Sequence, residues 1–95
     1  MSTGTYVSSA ALIDLQQELK ALSAALMDLY TTLNGDMGRL AQSWCDTKFE
    51  EFQEAFRSRQ ELIAALAGKY AGWADSYLPP RIEYALNHEG AQADI

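Results

Sequence analysis

Cys45 is the residue in this sequence whose type best fits nucleophilic chemistry. A cysteine nucleophile needs a base to form its thiolate, and the only histidine, His88, lies far along the chain. A Cys–His pair would therefore require the C-terminal segment to fold back onto residue 45. One His and one Cys also fall short of a zinc ligand set, and no phosphate-binding or metalloprotease pattern is present. We expect no catalytic, metal or cofactor site and no enzyme activity.

Size and charge narrow the class of protein. The chain has 95 residues, 48% of them hydrophobic, and a formal net charge of -6. This length fits one domain, and the acidity argues against a nucleic-acid partner, which needs clustered Lys and Arg. No segment reaches the roughly 20 apolar residues that span a bilayer, and the first residues do not resemble a signal peptide. We expect a chain that is cytoplasmic before any export and that, if it is exported, leaves without a cleaved signal.

Apolar residues in the first half follow the spacing of a helix seam. Their spacing alternates between three and four: Leu12, Leu15, Leu19, Leu22, Leu26, Leu29, Leu33. The seam then shifts to Met37, Leu40 and Trp44. Ser8 or Ser9 can cap the helix, and we expect it to continue through Gly35 and Gly38. The pattern predicts a first helix over about 8–43.

A second helix is predicted over about 47–77. Asp46 is a good N-cap, and Thr47 with Glu50 fits a capping box. The N-cap of the second helix is therefore either Asp46 or Thr47. Its seam runs Phe49, Phe52, Phe56, Ile63, Leu66, Tyr70, Trp73 and Tyr77, with Arg59 at the intervening position. Pro79-Pro80 is expected to stop this helix, which leaves 79–95 as a C-terminal tail. Within this tail, Arg81 to Leu86 could form one or two further turns.

These elements predict an all-α fold, an antiparallel hairpin whose two long helices join at Trp44-Asp46, forming a single domain over 1–95. Two helices alone make a thin core, so we expect two hairpins, identical or different, to form a four-helix bundle. The candidate interface residues are Leu19, Leu22, Leu26, Leu29, Arg59, Ala64, Gly68, Gly72, Trp73 and Tyr77.

Three of these features have two interpretations each. Arg59 either meets a carboxylate, such as Asp28 or one on a partner, or marks where the seam opens. The small residues Ala64, Gly68 and Gly72 indicate either a close helix–helix contact or plain helix surface. Trp73 and Tyr77 are either core residues near Leu12 and Leu15 or part of a partner-binding patch.

The corner resembles that of a known family. Leu40-x-x-x-Trp44, a three-residue corner and an aromatic residue eight positions after the Trp (Phe52) look like the WXG100 superfamily, the small helical hairpins related to ESAT-6. The likeness covers roughly Leu12 to Tyr77. The motif of that family is Trp-x-Gly, whereas this chain has Trp44-Cys45-Asp46, a Trp-x-Asp variant in which Asp caps the second helix.

The resemblance implies a dimer of hairpins and a link to type VII-like secretion. Such a protein is a secreted substrate, or a small helical partner or chaperone of the machinery or of a larger exported toxin. Many members end in a Tyr-x-x-x-Asp/Glu export signal. Here Tyr84 is followed at that distance by His88, and Glu89 comes one position later.

The corner tryptophan has two interpretations that are compatible. Trp44 caps the end of the bundle core, or one edge of its ring contacts secretion machinery or cargo. A different hypothesis for the whole chain is a structural coiled-coil adaptor or chaperone subunit unrelated to secretion. That hypothesis predicts helices that extend or pair in parallel, with no sharp turn at Trp44.

Overall fold

The computed structural model describes residues 7–93, and side chains as far as 89. The elements are α1 (Ser9–Ala41), α2 (Thr47–Gly72), a π-helical turn (Trp73–Tyr77) and α3 (Leu78–Ala93). The last three follow one another without a break and form one long helical arm beside α1. The predicted all-α hairpin is confirmed, and within the described residues no strand is formed.

Helix α1 begins where the sequence allows a cap. Ser8 is the N-cap, and its hydroxyl accepts a hydrogen bond from the Ala11 amide. The helix continues through Gly35 and Gly38 as predicted. It ends at Ala41, two residues before the predicted boundary, because the amides of Gln42 and Ser43 turn back to the Arg39 and Leu40 carbonyls. The corner therefore covers residues 42–46.

Asp46 starts the second arm. Its carboxylate accepts a hydrogen bond from the Phe49 amide at 3.0 Å, which satisfies one of the donors left free in the first helical turn. Thr47 is the first residue inside α2, so the choice between the two predicted caps falls to Asp46.

Hydrogen bonds between the two arms show that they run antiparallel. The pairs are Gln16 Nε2 with the Ala74 carbonyl (2.8 Å), Ser23 Oγ with the Ala67 carbonyl (2.8 Å) and Gln60 Nε2 with the Tyr30 carbonyl (3.1 Å). The partners move by seven residues along each arm and in opposite directions. This polar ladder fixes the register of the hairpin.

The prediction that Pro79-Pro80 stops the helix is wrong. A proline inside an α-helix lacks a donor, and its ring collides with the carbonyl four residues earlier. Here a wider π turn comes just before the prolines, with the Leu78 amide bonded to the Trp73 carbonyl five residues back. Both prolines then fall at the start of α3, directly after this wider turn.

The expected tail over 79–95 is also wrong as far as residue 93. Leu78, Ile82 and Ala85 are buried, and α3 contacts α1. Burial of these apolar residues stabilises helical structure that local sequence rules alone would end. Residues 94 and 95 lie outside the described part of the chain.

Among the described residues, no helix combines the length and apolar character needed to cross a bilayer.

Candidate interaction surface

The contact between the two arms is made mainly by small and polar side chains. On α1 the line that faces the other arm repeats every seven residues through Ser9, Gln16, Ser23 and Tyr30. On the opposing arm it runs through Gln60, Ala67 and Ala74, which are all buried. The hairpin thus uses hydrogen bonds and alanines where a heptad seam normally has leucines.

As a result, the predicted leucine seam of α1 is split. Leu12, Leu19, Leu26 and Leu33 border the contact and are half-buried. Leu15, Leu22 and Leu29 are 44%, 42% and 46% exposed. The sequence predicted one seam, whereas the structure turns three of its seven leucines away from the second arm.

The second arm is split in the same way. Phe49 is buried, and Phe56, Ile63 and Tyr70 are half-buried. Phe52, Leu66, Trp73 and Tyr77 are exposed, at 45%, 43%, 44% and 52%. Residues 52, 59, 66 and 73 are spaced by seven, and residues 59, 66 and 73 each come just before a residue of the buried line.

The exposed residues of the two arms lie on the same side of the hairpin. Leu15 and Leu19 of α1 line one open cavity of about 340 Å³ together with Trp73, Tyr77 and Leu78. The seven-residue register extends this side toward the corner, where Leu22 lies level with Leu66 and Leu29 with Arg59. We call this surface the exposed flank: Leu15, Leu22, Leu29, Phe52, Arg59, Leu66, Trp73 and Tyr77.

Arg59 lies on the exposed flank and not between the two arms. The interpretation in which it marks an opened seam position fits this placement. Among the described residues it has no ion pair, and the predicted pairing with Asp28 within the chain is not formed. The structure therefore contains no buried charge at this point.

The small residues Ala64, Gly68 and Gly72 lie away from the exposed flank. Ala64 is half-buried, and both glycines are exposed. A Cβ atom added at either glycine would have no neighbour within 4 Å. The close contact between arms is made by Ala67 and Ala74 instead, which are at most 1% exposed.

At the corner, Trp44 is the centre of an aromatic cluster. Its ring lies 5.2 Å from Phe49 and 6.0 Å from Phe52, stacked on the latter at 26°. Phe52 in turn lies 6.2 Å from Phe56. Trp44 is half-buried, so it closes the end of the core and keeps part of its surface exposed.

Cys45 and His88 do not meet. The exposed Cys45 thiol donates to the Ala41 carbonyl at 3.3 Å, at the corner. His88 lies on α3 near the open end of the hairpin and stacks on Tyr84. Within the described residues, no group of three His, Cys, Asp or Glu side chains could hold a metal ion.

Tyr84 and His88 lie side by side on α3, with ring centroids 5.8 Å apart and nearly parallel planes. Glu89, one position later, points elsewhere, because its carboxylate accepts from the Ser9 amide (2.9 Å) and hydroxyl (2.6 Å). A carboxylate at the N-terminus of α1 is favoured by the helix dipole. The one acidic residue near the Tyr-x-x-x position is thus part of the hairpin contact.

Sequence reasoning missed part of this surface. Leu15, Phe52 and Leu66 belong to the predicted seam and not to the predicted interface residues. The seven-residue spacing of Phe52, Arg59, Leu66 and Trp73 is the signal that could have found it, since a buried seam would not place an arginine in that series.

No protein-family model, curated protein or solved structure matches this chain.

Proposed function

We propose that this protein is a non-enzymatic helical hairpin that acts by binding another helical hairpin, as WXG100-like proteins do. The observation behind this proposal is the exposed flank: a row of large apolar side chains on one side, while Ala, Ser and Gln make much of the contact between α1 and the middle of the second arm. Contiguous apolar surface of this kind is typical of protein–protein contacts. A four-helix bundle would cover it.

The link to type VII-like secretion is part of the proposal. It rests on the helical hairpin layout with Trp44 at the corner and on a second arm that begins with an Asp N-cap. In this role the chain is a secreted substrate, or a small partner or chaperone of the machinery or of an exported toxin. An adaptor unrelated to secretion is less well supported, because that hypothesis predicted extended or parallel helices, and the arms are antiparallel.

Association is tested with a double variant of the exposed flank. Leu22→Ser with Leu66→Ser removes apolar surface from both arms without touching the polar ladder. The matched control is Met27→Ser, at a 40% exposed apolar residue on α1 that is outside the exposed flank. Light scattering of the chain mixed with the product of the neighbouring gene gives the mass of the complex.

We expect a two-chain or larger complex for the wild type and for Met27→Ser, and its loss for the double variant. A wild type that stays monomeric with every helical partner offered would contradict the proposal. Secretion is tested separately by measuring the protein outside intact cells, with and without the secretion machinery of the host. A chain that occurs outside cells equally in both cases would remove the secretion link.

A further inference from the structure

The four arginines of the chain fall into two pairs. Arg39 forms an ion pair with Asp36, and Arg57 with Glu54 at 3.1 Å, in each case a carboxylate three residues earlier. Arg59 has no such neighbour, because positions three and four residues away are all non-acidic: Ala55, Phe56, Leu62 and Ile63. Arg81 stacks on the Tyr77 ring at 3.7 Å and donates to the Tyr77 carbonyl.

Arg59 and Arg81, which form no ion pair among the described residues, lie on the same side. Each of the residues Tyr77, Arg81, Tyr84 and His88 immediately precedes a buried or half-buried residue of α3, as Trp73 precedes Ala74. The exposed flank therefore continues along α3 to the open end. Leu12 of α1 lies in the same groove as Pro80, Arg81 and Tyr84, which supports this placement.

Over the part of the second arm whose side chains are described, this side has no acidic residue. After Lys48, which precedes the buried Phe49, its eight positions are Phe52, Arg59, Leu66, Trp73, Tyr77, Arg81, Tyr84 and His88, in a chain with thirteen Asp and Glu. Five of the eight are aromatic or aliphatic, two are arginine, and one is histidine. A net charge of -6 thus coexists with one apolar surface whose charged groups on this arm are cations.

A second copy of the chain is a poor match for this surface. Its second arm would add two more arginines and no carboxylate. The acidic residue of α1 at the matching seven-residue position, Asp36, is already paired with Arg39. Covering Arg59 without an acidic partner would remove a charge from water with nothing to compensate it, which is unfavourable.

We infer that the exposed flank is built for a different chain, a helical partner whose apolar stripe is bordered by Asp and Glu residues. This inference rests on the proposed function and identifies the chemistry of its partner. Arg81 follows Arg59 by twenty-two residues, so the two cations are about 33 Å apart along the arm. The partner has carboxylates near both points and apolar side chains over Leu22, Leu66 and the cavity beside Trp73.

An anionic membrane is the other surface that attracts aromatic and basic groups. Membrane-binding segments contain clusters of about four to eight Lys or Arg. Here two arginines are separated by about 33 Å on a chain that is acidic overall, and the flank is shared between two arms. A protein partner fits these features better.

The test uses the full chain and two synthetic helical peptides. Both peptides have about 28 residues and the same leucine stripe, bordered by Glu in one and by Lys in the other. Fluorescence anisotropy of labelled peptide gives the affinities. We expect the Glu peptide to bind at least about tenfold more tightly than the Lys peptide, and to weaken as salt is raised.

Charge reversal is the second part of the experiment. Arg59→Glu with Arg81→Glu is expected to reverse the preference, and both side chains are exposed, so the hairpin keeps its fold. The matched control is Arg57→Glu, whose arginine is paired with Glu54 off the exposed flank, and it should leave the preference unchanged. Circular dichroism checks the helical content of each variant.

Other outcomes overturn the inference in distinguishable ways. Equal binding of both peptides removes the charge selection and leaves the proposed hairpin binding intact. Binding of neither peptide contradicts both. A stable self-dimer by sedimentation, or tighter binding to vesicles with about 30% phosphatidylserine than to the Glu peptide, assigns the surface to a second copy or to a membrane.

Discussion

At the scale of single residues, the two arms begin in the same way. An oxygen side chain just before each helix accepts from an amide in its first turn: Ser8 in α1 and Asp46 in α2. Glu89 adds a second acceptor at the start of α1, through the Ser9 amide. These contacts satisfy donors that a helix cannot satisfy internally, and they set where each arm starts.

Replacing Asp46 tests this placement of the cap. We expect Asp46→Ala to lower the free energy of unfolding by about 1 kcal/mol, because the Phe49 amide loses its acceptor. Thr47→Ala is the matched control, and it should change stability by less than about 0.5 kcal/mol. Urea unfolding followed by circular dichroism measures both. A larger loss for Thr47→Ala would assign the cap to Thr47.

At the scale of elements, the second arm is longer than its sequence signals suggest. The π turn over Trp73–Tyr77 lets the chain pass two prolines and resume an α-helix. It also shortens the spacing between buried residues. Ala67 and Ala74 are seven residues apart, whereas Ala74, Leu78 and Ile82 follow one another at intervals of four. Because α3 packs on α1, this last part of the arm belongs to the hairpin core.

Truncating a buried residue of α3 tests its role. Ile82→Ala should lower the free energy of unfolding by about 2 kcal/mol, since it removes buried methyl groups at the contact with α1. Leu86→Ala, at a residue that is 49% exposed, should cost less than about 0.5 kcal/mol. Equal small effects in a urea titration would mean that this segment does not contribute to the core.

The close approach of the arms gives a second element-scale prediction. Ala67→Leu should destabilise the hairpin by about 1–3 kcal/mol, because the added atoms have no room beside α1. Gly68→Ala, one position later, should stabilise it by about 0.5–1 kcal/mol, since the new methyl group points into open space. Thermal unfolding measures both. A destabilised Gly68→Ala protein would place the glycine in a contact.

At the scale of the whole molecule, shape limits what the hairpin can bury. Its radius of gyration is 20.9 Å, whereas a compact chain of this length would have about 12 Å. Such a rod has much surface for its volume, and among the described residues only six apolar side chains are buried, three of them alanines. Partner binding can therefore contribute much of the stability of the working assembly.

The melting temperature tests how this contribution arises. If the partner is a different chain, the isolated protein should melt at the same temperature between about 5 and about 500 µM, because no self-association is coupled to folding. Adding the partner should raise the melting temperature with its concentration. A rise with the concentration of the isolated chain, in a calorimetric scan, would show that it binds itself.

The sequence by itself determined the hairpin: two helical periodicities, an acidic cap at the corner, and Trp44 at the end of the first arm. These are local signals, which caps and spacing reveal without a partner. It also predicted an apolar seam, but it did not determine which side of that seam faces the other arm. A run such as Leu15, Leu19, Leu22 is wide enough to face two directions, and periodicity cannot say which half meets the other arm.

Only the tertiary structure decided that question. With the hydrogen bonds from Gln16, Ser23 and Gln60, each arm is oriented about its axis so that small residues meet. In this orientation Leu22, Leu66 and Trp73 face outward. It likewise decided that residues beyond Pro80 remain helical, because burial of Ile82 against α1 outweighs a local stop signal. Both outcomes depend on contacts between residues far apart in the chain, and local sequence patterns do not reveal such contacts.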